Sequence, residues 1–130
     1  MRVRYDPNFH GTACLQGLWP FRTVIVGPWY LRPPAAAQEA IYQHEMAHAK
    51  LFHIETLLLL TLIWPPLWRA ATRKRWCLEQ EFAADRWVYE RGLGMPLFQT
   101  LWRLDLENGF DEERAMRWAR LRELLKVRTA

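Results

Sequence analysis

Between two proline pairs, Pro33-Pro34 and Pro65-Pro66, thirty residues run without a single glycine or proline. A stretch that lacks both breakers and opens on Ala35-Ala36-Ala37 reads as helix, because proline is tolerated at a helix entrance and alanine is the strongest helix former. At about 1.5 Å per residue, one helix over this span would be about 45 Å long. The chain turns helical again over residues 67–91, ending at Gly92 and Gly94. Pro65-Pro66 is then the corner of an antiparallel helical hairpin. Pro96 opens a third helix that stops at Asn108-Gly109. The last begins after Asp111, a suitable N-cap, with Glu112 and Glu113 in its first turn and Lys126 and Arg128 near its end, which suits the helix dipole. Met116, Leu121, Leu124 and Leu125 give it one apolar stripe, and these two C-terminal helices read as scaffold.

The N-terminal third is rich in glycine, proline and aromatics. Its one β-branched run, residues 21–26, closed by Gly27-Pro28, reads as a strand. Residues 29–31 are a second extended piece that pairs with it or leads into the first helix. The expected fold is mainly α with a small β element (α+β), and 130 residues are the size of one domain with one core.

The second half of the long helical stretch is apolar on every side over residues 57–63, so it needs a cover of protein, partner or lipid. The apolar run 56–68 is thirteen residues long, short of the about twenty that a bilayer span requires. A buried or partner-covered segment is therefore expected. Trp64 and Trp68 leave a membrane surface as the alternative, since tryptophan favours places with one apolar and one wet side. Eight tryptophans point the same way, to an interface with protein or lipid.

Net charge is +4, with the basic excess at Arg69, Arg73, Lys74 and Arg75 and again over residues 114–128. No helix-turn-helix, zinc-finger or RNP pattern accompanies it, so a solvated basic face is expected rather than a nucleic-acid interface. Cys14 and Cys77 have no C-x-x-C partner and form no disulfide framework. The first twenty residues hold no apolar run long enough for a signal peptide, because Asp6, Asn8, His10 and Gln16 interrupt it. The expected location is the cytoplasm, with membrane association left open.

The chemistry gathers at His44-Glu45-Met46-Ala47-His48. On a helix, residues four apart share a face with Cβ atoms about 5–6 Å apart, so both imidazoles can reach one Zn²⁺ at about 2.0–2.1 Å. Glu45 points about 100° around from His44, toward where a water for hydrolysis would sit. That supplies two ligands and a general base. Leu51 and Ile54 stand where an extended three-histidine site would need glycine and histidine. His53, five residues after His48, is rotated about 140° from it on a continuous helix and reads as structural.

A third ligand comes from the hairpin. Because both arms rise equally, reflecting residue 81 through the corner lands near 50, and reflecting 85 lands near 46. Glu81 is thus expected beside His48 and Asp85 beside His44, with Ala83 and Ala84 allowing close approach and Glu79 facing solvent. Two histidines and a carboxylate leave a fourth position open, as in catalytic zinc sites. Asp85 suits a hydrogen bond to the other ring nitrogen of His44, which fixes its tautomer.

His44-Glu45-x-x-His48 with Glu81-x-x-Ala84-Asp85-Arg86 resembles the gluzincin metallopeptidases, in the branch of the heat-shock and prenyl-protein-processing membrane peptidases. The leucine run ending in Trp64-Pro65-Pro66-Leu67-Trp68 is similar to the β-lactam sensor-transducer peptidases. The resemblance covers residues 41–90. It implies a zincin-like fold, zinc on His44, His48 and Glu81, Glu45 as general base, and Asp85 behind the histidines. It also implies a peptide or protein substrate. Those families mostly span the membrane several times, and in size this chain is nearer the single-domain minigluzincins. Many relatives carry a downstream histidine or tyrosine that stabilises the oxyanion. No histidine follows His53 here, which leaves Tyr89, Arg86 or Tyr30 as candidates. The sensor family has cysteine where this chain has Ala84.

The expected function is zinc-dependent peptide hydrolysis, with the strand at 21–26 lining the cleft. A catalytically silent, zinc-stabilised interaction module within a larger assembly is the alternative.

Overall fold

Arg2–Tyr5 (β1), Ala13–Gln16 (β2) and Thr23–Val26 (β3) form a three-stranded sheet in the order β1-β3-β2, with β1 parallel and β2 antiparallel to β3. The computed structural model from which this is read describes residues 1–63 and 70–129. The β-branched run accounts for β3, whose Val24, Ile25 and Val26 are buried. Its neighbours carry no comparable signal: every residue of β1 is exposed, and no residue of β2 is fully buried. They are strands because β3 offers two free edges to pair with, a tertiary cause that periodicity does not display. Gly17, at φ +87, turns the chain from β2 back toward β3, and a Cβ there would collide with the Phe21 carbonyl. Residues 29–31 are not extended. Pro28–Tyr30 is a single 3₁₀ turn, closed by Tyr30 N–H to Gly27 O and Leu31 N–H to Pro28 O, as the fixed φ of Pro28 favours.

The helices are Ala35–Lys50 (α1), His53–Ile63 (α2), Ala70–Glu90 (α3), Gly94–Asn108 (α4) and Glu112–Thr129 (α5), so among the described residues the chain is mainly helical with a small sheet, an α+β architecture. Asp111 caps α5 as expected, its carboxylate accepting from Arg114 N–H at 2.8 Å. Ala40, Val88, Leu97, Leu101 and Leu121 form a core between α1, α3, α4 and α5. Ala47 and Ala84 are fully buried, and such small side chains let α1 and α3 lie close. The Pro65-Pro66 corner lies outside the described residues, but the side-by-side placement of α1 and α3 that it was expected to produce is present.

The single long helix is corrected. It breaks at Leu51 and Phe52, where Phe52 takes φ 54 and the axes of α1 and α2 diverge by 43°. A left-handed phenylalanine is strained by about 1–2 kcal/mol, so something must hold it. Arg22, just before β3, donates to the Ala49 carbonyl at the end of α1 and to the Glu55 carboxylate on α2, and its guanidinium lies 4.7 Å from the Phe52 ring centre. The tie comes from a segment nearly thirty residues away, so no local signal in residues 35–63 announces it. Arg22→Ala should lower the unfolding free energy by about 2–4 kcal/mol in chemical denaturation, because it strands a partly buried carboxylate and frees the joint.

Candidate metal centre

His44 and His48 stand one turn apart on α1, and Glu81 reaches them from α3. His44 Nε2 lies 3.1 Å from Glu81 Oε2, His48 Nε2 lies 3.1 Å from Glu81 Oε1, and the two Nε2 atoms are 3.1 Å apart. The carboxylate thus turns one oxygen to each imidazole, and ligands at about 2.0–2.1 Å in a tetrahedron stand about 3.3 Å from one another, so these separations are near those that one small ion requires. Among the described residues these three are the one such group of histidine, cysteine and acidic side chains. The donor set, two neutral-capable imidazoles and one carboxylate with an open fourth side, fits zinc.

Asp85, one turn on from Glu81, is buried with Oδ1 2.9 Å from His44 Nδ1, somewhat off the line of an ideal hydrogen bond. Glu79 is exposed, as the helical spacing requires. Arg117 of α5, which the sequence marked only as part of a scaffold helix, holds the cluster together. Its guanidinium forks onto Asp85 at 2.9 and 2.8 Å and approaches Glu81 Oε2 to 3.3 Å. Nothing in a run with five other basic residues between 114 and 128 distinguished it.

His53 is the second departure. Because the helix breaks, His53 turns back toward the site, its Nδ1 2.6 Å from His48 Nδ1. With Nε2 of His48 in the triangle, the assignment that satisfies every ring nitrogen has His48 Nδ1–H donating to His53 Nδ1 and His53 Nε2–H donating to Gln80. Trp76 packs edge-on against the far side of the His53 ring. The expectation that His53 could not join without breaking the helix was sound geometry. The break is what happens.

A cavity of about 490 Å³ opens over the triangle. Its walls are residues 12–15 around β2, Ile54 and Leu57 of α2, and residues of α3 and α4, with Glu45 and Arg117 facing in. Glu45 stands outside the triangle and accepts a hydrogen bond from the Leu15 backbone N–H. The strand at this cavity is β2, an edge strand, and not residues 21–26: β3 is paired on both sides and has no free edge. The oxyanion candidates lie elsewhere. Tyr89 donates to the Leu124 carbonyl, Arg86 is exposed beside Glu90, and none of Tyr89, Arg86 and Tyr30 lines the cavity.

Comparison with protein-family models, with curated proteins and with solved structures gave no match to this chain. What the centre can do therefore rests on its own electrostatics. Burial and the Arg117 guanidinium resist a proton on His44, but hydrogen bonds to Asp85 and Glu81 outweigh them and push it up to about 9. Burial opposes ionisation of Glu81 as well, yet its bonds to His44 and His48 hold it well below the usual carboxylate range. Asp85 is lowered too, Arg117 and His44 overcoming its burial. Burial raises Glu45 against the pull of both histidines, and burial followed by the charge of His48 lowers His53 to about 4.

For the metal-free chain these shifts fix the sign of a pH effect. A histidine whose folded pKa exceeds its unfolded value of about 6.5 stabilises fully below that value. The contribution from His44 is then lost as pH rises through about 9. Chelator-treated protein should melt several degrees lower at about pH 9.5 than at about pH 6.5, read by circular dichroism. In His44→Gln the difference should shrink.

Proposed function

We propose that this protein is a zinc-dependent peptidase of the gluzincin type. The observation that carries the proposal is the grouping of His44, His48 and Glu81 at 3.1 Å separations, with a separate carboxylate, Glu45, whose proton affinity burial raises, in the same cavity. His44, His48 and Glu81 would hold the ion. Zinc bound there would supply Lewis acidity, polarising a carbonyl and acidifying water.

The remaining work falls to the chain. Glu45, with its proton affinity raised by burial, is the general base that takes a proton from water and returns it to the departing amine. The Leu15 N–H that it accepts from orients its carboxylate. Asp85 orients His44 and is itself fixed by Arg117. His53 does the same for His48 from the opposite side, an imidazole in the place usually taken by a carboxylate or carbonyl. The outer edge of β2 offers backbone groups to an extended peptide, and the apolar walls at Ile54, Leu57 and Leu101 accept its side chains. Arg117 is the buried cation nearest the reacting centre.

Metal analysis should find about one zinc per chain, lost in His48→Ala. Glu45→Gln should keep the metal while cleavage of a broad peptide library falls by about 10²–10⁴-fold. Zinc without cleavage in the unmodified chain would instead favour a metal-stabilised interaction module. His53→Leu should weaken zinc binding by about 10–100-fold in chelator competition, and His53→Gln, whose amide oxygen can accept from His48, by less.

A further inference from the structure

The face formed by α2 and residues 18–21 has no cover among the described residues. Apart from His53, no residue of α2 is buried, and Leu62 and Ile63 are 70% and 66% exposed. Its one acidic residue is Glu55. Leu58, Leu59 and Leu62 stand three, four and seven positions beyond it, on the same stripe of the helix. Glu55 accepts from Trp19 N–H at 2.8 Å and from the Arg22 side chain, and this draws the loop at residues 18–21 against the stripe. The loop brings Leu18, Trp19 at 65% and Phe21 at 85% exposure. Two segments more than thirty residues apart thus join in one apolar surface, and the carboxylate that would interrupt it is neutralised by Arg22.

Charge identifies the occupant. From residue 56 to residue 78 the sequence has Arg69, Arg73, Lys74 and Arg75 and no acidic residue. Arg73, Lys74 and Arg75 are exposed at the start of α3, and among the described residues only Lys74 is near a carboxylate, 4.0 Å from Glu113. A second copy docking through this face presents the same segment, which from residue 56 to residue 78 has no acidic residue to pair with the basic cluster. A bilayer with anionic headgroups meets both halves, taking the leucines and aromatics into its acyl boundary and the arginines at its surface. No described helix is long and apolar enough to cross a membrane alone, and the bent pair α1 and α2 meets that test only jointly. Part of α1 is committed to His44 and the core, so α2 lies on the surface rather than spanning it.

We propose that the α2 face, with Leu18, Trp19 and Phe21, seats the protein on one leaflet of an anionic lipid membrane. The proposal does not depend on the metal centre. The full chain should co-sediment with phosphatidylcholine vesicles containing phosphatidylglycerol, and bind pure phosphatidylcholine vesicles more weakly. Raising salt should erase the difference. Arg73→Glu with Arg75→Glu should reduce anionic-vesicle partitioning by about tenfold or more, and Leu59→Asp with Leu62→Asp should abolish partitioning to both. Unchanged far-ultraviolet circular dichroism and an unchanged melting temperature would separate these effects from unfolding. Two results would overturn the proposal: a chain that stays in the supernatant with either vesicle, or one that forms a stable dimer which Leu59→Asp with Leu62→Asp dissolves.

Discussion

A cluster of buried charge, assembled where α1, α3 and α5 meet, sets the terms for the rest of this molecule. Glu81 and Asp85 bring two negative charges into an interior that penalises each by several kcal/mol unless it is matched. Arg117 supplies one positive charge directly. The second, in the absence of an ion, is a proton held on His44. An ion on His44, His48 and Glu81 makes that proton redundant, because it binds the same Nε2 and brings its own charge. Binding of an ion there and release of that proton would therefore be one event. Arg117 has no such alternative. It is permanently charged and forks onto Asp85 in the bidentate geometry that suits a buried carboxylate.

The break between α1 and α2 belongs to the same economy of contacts. Continuous through residue 63, the helix would carry His53 away from His48 and Glu55 away from Arg22. The bend at Phe52 reverses both: one side of α2 gives His53, Ile54 and Leu57 to the cavity, and the other presents Glu55 to the loop at residues 18–22. One strained residue thus serves two surfaces. The strain is tolerable because Arg22 accepts the exposed end of α1, the carboxylate of α2 and the Phe52 ring at once.

Legibility in the sequence followed the range of the forces. His44, Glu45, His48, Glu81 and Asp85 could be brought together on paper, since helical rise and spacing are local and a hairpin corner converts them into a long-range register. The α+β class followed from the same periodicities. Arg117 could not be found this way, because its selection depends on which face of α5 meets α3, and neighbouring arginines share its composition. His53 was misjudged for the opposite reason. The local rule was correct, but a tertiary tie at Arg22 overrode it. β1 and β2 were invisible because four-residue strands with exposed side chains are defined by their partner and by nothing in themselves.

A domain of this size buries about two-thirds of what its unfolded chain exposes, and much of that capacity here is spent on α1, α3, α4 and α5, which must enclose the charged cluster and the Leu97, Leu101 and Leu121 core. A helix as apolar as α2 would ordinarily be the first element drawn into such a core. It is instead held at the edge by the bend, with one flank on the cavity and the leucines beyond Glu55 outward. Ile54 and Leu57 thus serve the cavity while Leu58, Leu59 and Leu62 face away from it, so the same bend that opens the centre on one flank of α2 leaves an apolar stripe on the other.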